Sequence, residues 1–277
     1  MTIEDAQKYG IKKLLETKVE SPESSIDYLL RKILNATKEQ YIRQHKKELT
    51  VKEEKKFREW VARRSKHEPV WYITGEIDFY GQIFKVNKDV LIPRPETELL
   101  IEMILKNEQK ISSRILDVGT GSGAVILTLA SKIKGEFYAS DISNKALTVA
   151  KSNAERLKYT VSFKVGDLLT PWLNQKFDLV IANLPYVPHE EMPFLASGLK
   201  DYEPVIALDG GVRGLEIYKN FLKELPGILN PGASVYCEIG SGQGHELKKI
   251  AKKYFQAANI NILKDYGGFD RFLVMQV

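Results

Sequence analysis

The sequence has very little sulfur chemistry available to it. A single cysteine, Cys237, excludes an intramolecular disulfide and a cysteine-built zinc cluster, and it suits a reducing compartment. The four histidines (His45, His67, His189 and His245) are scattered, with no HxH or HxxxH spacing, so no catalytic zinc is expected. No apolar run approaches the ~18 residues that a membrane span needs. The opening stretch MTIEDAQKYG has acidic groups and no apolar core, so it does not read as a secretory signal. Nor is there an excess of one charge: 41 Lys and Arg against 36 Asp and Glu leave +5. Bulk electrostatics therefore demand neither nucleic acid nor a membrane. A cytoplasmic protein is expected.

With 277 residues, 43% hydrophobic and 28% charged, the chain is globular and long enough for one large or two smaller domains. Residues 1–70 read as a helical bundle. Thr2 with Asp5, Thr37 with Gln40 and Thr50 with Glu53 have capping spacing. Ile26, Leu29, Leu30, Ile33 and Leu34 form one apolar stripe at helical period, and Phe57, Trp60 and Val61 begin another. Pro69 is expected to end the helical region. Residues 71–90 then form a linker built on a hairpin, IDFYGQIFKV, with its turn at Gly81. From 91 to 277 strands alternate with helices: 114–118, 136–142, 161–167, 177–183, 233–240, 259–265 and 269–277. That pattern predicts an α/β fold with a seven-stranded, doubly wound, largely parallel sheet, its last strand antiparallel to the sixth.

The most informative string is DVGTGSG, 117–123, between the first of these strands and a helix. Gly119, Gly121 and Gly123 let a ligand approach the backbone, with Thr120 and Ser122 between them. With Ala124 the string also fits GxGxxA, so the glycines alone do not separate a nicotinamide dinucleotide from S-adenosylmethionine. Three carboxylates narrow the choice. Asp141, at the end of the second strand, can accept from two ribose hydroxyls. Asp117 suits a cofactor with a cationic amino-acid end and would repel a pyrophosphate. Asp167 stands where an adenine amino group needs an acceptor, with Leu168 beside the ring.

After the fourth strand comes Asn183-Leu184-Pro185-Tyr186. An amide or aromatic amine is a poor nucleophile because its lone pair is delocalised. Two acceptors aimed at its two N–H bonds fix it and enrich its nitrogen. Asn183 offers Oδ1 and Leu184 its carbonyl, which Pro185 holds in extended geometry. Tyr186 packs against the planar group, and orientation with electrostatics carries the catalysis.

DVGTGSG with NLPY resembles the class I S-adenosylmethionine-dependent methyltransferases. LIPRPETE (91–98), the FYG hairpin (79–81), DYEPVIALDGG with Gly214-Leu215, and EIGSGQG (238–244) together resemble the PrmC/HemK family of release-factor glutamine methyltransferases. The resemblance implies a Rossmann-like methyltransferase sheet behind an N-terminal substrate-recognition bundle. It implies S-adenosyl-L-methionine as cofactor, S-adenosyl-L-homocysteine as product, and methylation of the GGQ glutamine of class I peptide chain release factors, which tunes translation termination. Asp117, Gly119 to Gly123, Asp141, Asp167, Leu168 and Asn183 would meet the cofactor. Asn183 to Tyr186 would hold the substrate, with Arg94 and Glu96 at the border. The family pattern is NPPY, so Leu184 stands in place of a proline. The expected partner is a release factor, with no direct nucleic acid required, and the expected state is a monomer.

The competing readings are a methyltransferase acting on an adenine or guanine amine, a nicotinamide-dependent oxidoreductase, and a non-catalytic adaptor. The segment 187–211 is expected to shape the substrate mouth together with the bundle. His189 reads as a surface residue rather than a base, Cys237 as core, and Trp172 equally as core or as a neighbour of the adenine.

Overall fold

A computed structural model describes residues 1–108 and 113–277. They fall into two compact units, Met1–Glu76 with Ala196–Tyr202, and Ile77–Leu195 with Glu203–Val277. Among the described residues no helix is long and apolar enough to cross a membrane.

The first unit begins with α1 (Ile3–Glu16), α2 (Pro22–Leu34), α3 (Lys38–Arg43), α4 (Val51–Arg64) and α5 (Val70–Thr74). Thr2, Thr37 and Thr50 each close a full capping box with Asp5, Gln40 and Glu53. Ile3, Leu14, Ile26, Leu30, Phe57 and Val61 share one buried cluster. Gly10 lets α1 and α2 touch: a Cβ there would lie 2.5 Å from Ile26 Cδ1. The expectation that Pro69 ends the helices needs correction, because Pro69 is the N-cap of α5. A proline is well placed before a helix, since the N–H it lacks would have no intrahelical acceptor there.

β1 (Glu76–Phe79) and β2 (Gln82–Lys85) make the hairpin. Its turn needs positive φ at both central residues, Tyr80 (51°) and Gly81 (72°). Then follow α6 (Pro95–Asn107), β3 (Ser113–Val118), α7 (Ala124–Lys132), β4 (Gly135–Asp141), α8 (Asn144–Leu157), β5 (Ser162–Val165) and β6 (Phe177–Asn183). The rest is α9 (Ser197–Lys200, in the first unit), α10 (Glu216–Glu224), β7 (Leu229–Glu238), α11 (Gly244–Tyr254), β8 (Asn259–Lys264) and β9 (Asp270–Gln276).

The seven strands run in the order β5-β4-β3-β6-β7-β9-β8. β9 is antiparallel to both its neighbours, and the other pairings are parallel. The strand order reverses between β3 and β6, and ligands of open α/β sheets bind in the crevice beyond the carboxyl ends at that point. β7 starts four residues earlier than expected. Its Asn230–Gly232 stretch is taken up as an irregularity against β6, with the register shifting between Phe177 and Leu179. β5, at the sheet edge, ends at Val165, and Gly166 and Asp167 turn away from it. Trp172 is wholly buried and meets Tyr138 and Phe177 edge-on, so it is core. Cys237 is core as well.

Candidate active site

The glycine loop is held by β4. The Gly119 and Thr120 N–H groups both donate to Ser140 O, at 2.9 and 3.0 Å. Gly121 N donates to Asp141 Oδ2 at 2.9 Å, and Ser143 N to Asp141 Oδ1 at 2.8 Å. One carboxylate thus clamps the loop to the start of α8 and keeps a lone pair on each oxygen. Thr120 Oγ1 donates to Asp117 Oδ2 at 2.6 Å. Asp117 is buried, and burial together with the nearby Asp141 raises its pKa to about 7. Burial also pushes Asp141 above the ordinary carboxylate value.

These residues line a cleft at the carboxyl ends of β3, β4 and β6 that holds about 1110 Å³ of space, its open mouth included. Asp117, Gly119, Thr120, Gly121, Ser122, Asp141, Asp167, Leu168, Asn183, Leu184 and Pro185 all lie on its wall. Gly123 and Tyr186 do not: Gly123 faces Leu127 and Ala150, where it lets α7 and α8 approach. Arg94 is on the wall, paired with the buried Glu203 at 2.5 Å, and Glu203 also accepts from Ile92 N at 3.1 Å. Glu96 is not among the lining residues. Pro204, Ile206 and Ala207 of the 187–211 segment also line the cleft. His189 is exposed and its Nδ1 lies 2.7 Å from Asp209 Oδ2, a contact that keeps Asp209 below its usual pKa.

Leu168 has φ +44°, a left-handed conformation that a branched side chain adopts only when its surroundings impose it. That strain falls on the cleft wall, and a bare sequence gives no sign of it.

The side-chain amide of Asn183 does not hang free. Its Nδ2 donates to Glu238 Oε2 at 3.0 Å and to Thr97 Oγ1 at 3.3 Å. Thr97 donates its own proton to Glu238 Oε2 at 2.7 Å, and Tyr186 OH reaches Oε1 at 3.3 Å. Glu238 and Thr97 lie in the strings EIGSGQG and LIPRPETE, where nothing in the local sequence marks either for this role. Gln243 ties the neighbouring turns together. Its Nε2 donates to Tyr186 O at 2.8 Å and its Oε1 accepts from Gly240 N at 2.9 Å.

Leu184 brings two things that a proline would not. Its side chain is buried, with Cδ2 3.0 Å from where a Gly119 Cβ would stand. Its N–H donates to the buried Tyr218 hydroxyl at 3.2 Å, and that hydroxyl is also in close contact with the backbone oxygen of Glu238. The bond restrains the turn where ring closure would otherwise do so. Tyr218→Phe is expected to lower unfolding free energy by about 1–3 kcal/mol, since buried polar groups lose their partner. Denaturant unfolding of the variant checks this, and an unchanged midpoint would remove the hydroxyl from the account.

Chemically, the cleft pairs a glycine loop and two buried or half-buried carboxylates, Asp117 and Asp141, with a turn that carries the Asn183 amide and the Leu184 carbonyl. Residues 5–75 match the family model described as PrmC N-terminal domain, and residues 109–219 match a methyltransferase domain. Over 264 residues the chain is 37% identical to a release factor glutamine methyltransferase of Bacillus cereus, covering 92% of this chain and 93% of that one. A protein of the same name from Bacillus subtilis is 41% identical over 224 residues, 78% of each chain. Among solved structures, a methyltransferase from Pyrococcus furiosus shares the fold at TM-score 0.53 and 19% identity, covering 72% of this chain and 90% of that one.

Proposed function

The chain belongs to the release factor glutamine methyltransferase family, and we propose that it moves a methyl group from S-adenosyl-L-methionine to the side-chain nitrogen (N5) of the GGQ glutamine in class I peptide chain release factors. It would act in the cytoplasm, where its substrates work. The observation that carries this reading is the Asn183-Leu184 turn on the wall of the same cleft as the glycine loop.

The residues present fit the cofactor. The loop glycines adopt φ of +73° and +56° at Gly119 and Gly121, which keeps side chains out of the cradle. Asp141 has lone pairs left for two hydroxyls after taking Gly121 and Ser143. Asp117, with its raised pKa, gains its charge most readily beside a cation such as an α-ammonium group. Asp167, with an exposed carboxylate, and Leu168 complete the adenine side. When bound, the cofactor supplies a methyl group activated by a sulfonium.

This chain's own residues supply orientation. Asn183 Oδ1 and the Leu184 carbonyl each accept one N–H of the glutamine amide. The two bonds fix the plane of the amide, turn its nitrogen toward the methyl, and draw electron density onto that nitrogen. No side chain is needed as a strong base, because an amide nitrogen that has gained a methyl sheds its proton readily. Tyr186, held at Glu238, stands behind the turn.

Asp141→Ala is expected to raise the cofactor Kd by about 10–100-fold, since the Gly121 and Ser143 N–H groups and the ribose lose their shared acceptor. Calorimetry with S-adenosylhomocysteine measures it, and an unchanged Kd would refute the ribose role. The activity itself is tested with labelled S-adenosylmethionine and a choice of purified release factor, tRNA and ribosomal RNA. Label on the release factor alone is expected. Label on RNA alone would favour the base-amine methyltransferase that the clamp equally suits.

A further inference from the structure

An asparagine clamps a substrate amide in only one of its two orientations. Turned over about its last side-chain bond, Asn183 would show an NH₂ group where an acceptor is required, and its shape would be the same. Something must choose between the two. Asn183 and Glu238 are direct partners across the β6–β7 register, so the sheet itself puts the carboxylate beside the amide. Glu238 is 1% exposed. When ionised it has lone pairs only, so every neighbour has to donate to it. Thr97 therefore spends its proton on Oε2 and offers a lone pair to Asn183 Nδ2. Asn183 then has two acceptors on one side and must present Nδ2 to both.

We propose that Glu238 is a positioning residue for methyl transfer, and that its buried carboxylate, with Thr97 as relay, locks Asn183 with Oδ1 toward the cleft. The identity of the substrate rests on the reading above; the lock itself does not.

The other groups around Glu238 decide how firmly it stays ionised. Burial pushes its pKa above the ordinary carboxylate value. Arg271 on β9, the Thr97 hydroxyl and the Tyr186 hydroxyl pull it back, and Glu96, next to Thr97 on α6, pushes it up again. Once protonated, Glu238 carries a donor on one of its oxygens, and the neighbours aimed at that oxygen meet a hydrogen in place of a lone pair. Turnover at saturating cofactor should therefore fall as pH falls through that raised value.

The test uses the full chain. In the ¹⁵N–¹H spectrum the Asn183 Nδ2 pair of the free protein should shift with pH along one titration, and Glu238→Gln should abolish that titration. Glu238→Gln should also lower kcat by about tenfold or more, the worth of one buried hydrogen bond, with the cofactor Kd unchanged. It should remove the acid limb of kcat as well. On an Asn183→Ala background it should cost almost nothing further, because it acts through Asn183. An Asn183 amide blind to pH and to Glu238→Gln would overturn the proposal, as would losses that simply add. Should Glu238→Gln fail to fold, Thr97→Val removes the relay alone. It should shift the same amide and lower kcat severalfold, and a wild-type spectrum and rate would overturn the proposal. The amide titration reads the lock without any substrate, so a wrong substrate assignment would leave it intact.

Discussion

Asn183→Ala is expected to leave a folded protein that binds S-adenosylhomocysteine normally and hardly turns over. Removing one preorganised acceptor from a site that works by orientation and electrostatics costs on the order of 10²–10³-fold in kcat. The glycine loop does not lean on this side chain: its bonds run to Ser140 and Asp141. Cofactor affinity should therefore stay within about threefold, less than one hydrogen bond's worth. Stability should fall a little, because Glu238 Oε2 loses one of its two donors. Single-turnover kinetics beside calorimetry separate the two effects. A kcat near wild type would remove the clamp from the account, and a lost cofactor site would mean that Asn183 builds the cradle instead.

Gly214→Ala should have the largest effect on the fold itself. Gly214 has φ +68°, and a Cβ there would stand 2.0 Å from the backbone oxygen of Tyr186 and 2.6 Å from Gln243 Nε2. The amide of Gln243 can swing away, but the Tyr186 carbonyl cannot without moving the turn that carries Asn183 to Pro185. A clash with backbone plus a left-handed alanine is expected to cost more than ~3 kcal/mol. Denaturant unfolding checks it. Gln243→Ala on top of Gly214→Ala should not rescue stability, since the main obstacle is backbone. A wild-type midpoint for Gly214→Ala would show that this turn is not packed as described.

What could be read in the sequence follows from how far apart the cooperating residues lie. The capping boxes at Thr2, Thr37 and Thr50 are three-residue events, and local chemistry decides them. The span Phe177–Asn183 reads directly as a strand because a parallel strand buried on both faces is a continuous apolar run. The loop 117–123 announces itself through its glycines. The support behind the clamp gives no such sign. Asn183 meets Glu238 from 55 residues away through the β6–β7 register, and Thr97 from 86 through α6, which packs on β7. Arg94, at the N-cap of α6, and Glu203, outside any strand, meet across 109 residues. A glutamate at the end of a strand looks like a surface charge until the fold puts three donors around it. Pro69 is ambiguous for a different reason: a proline that cannot continue a helix is equally suited to begin one, and the residues on either side decide which.

If the accepting atom is a glutamine amide nitrogen, peptide mass spectrometry of a purified class I release factor will locate the methyl group on it. After incubation with this protein and S-adenosylmethionine, one added methyl is expected on the side chain of the GGQ glutamine, absent when Asn183→Ala replaces the wild-type chain. A methyl group recovered on any other residue, or a release factor left unmodified while another substrate is methylated, would contradict it.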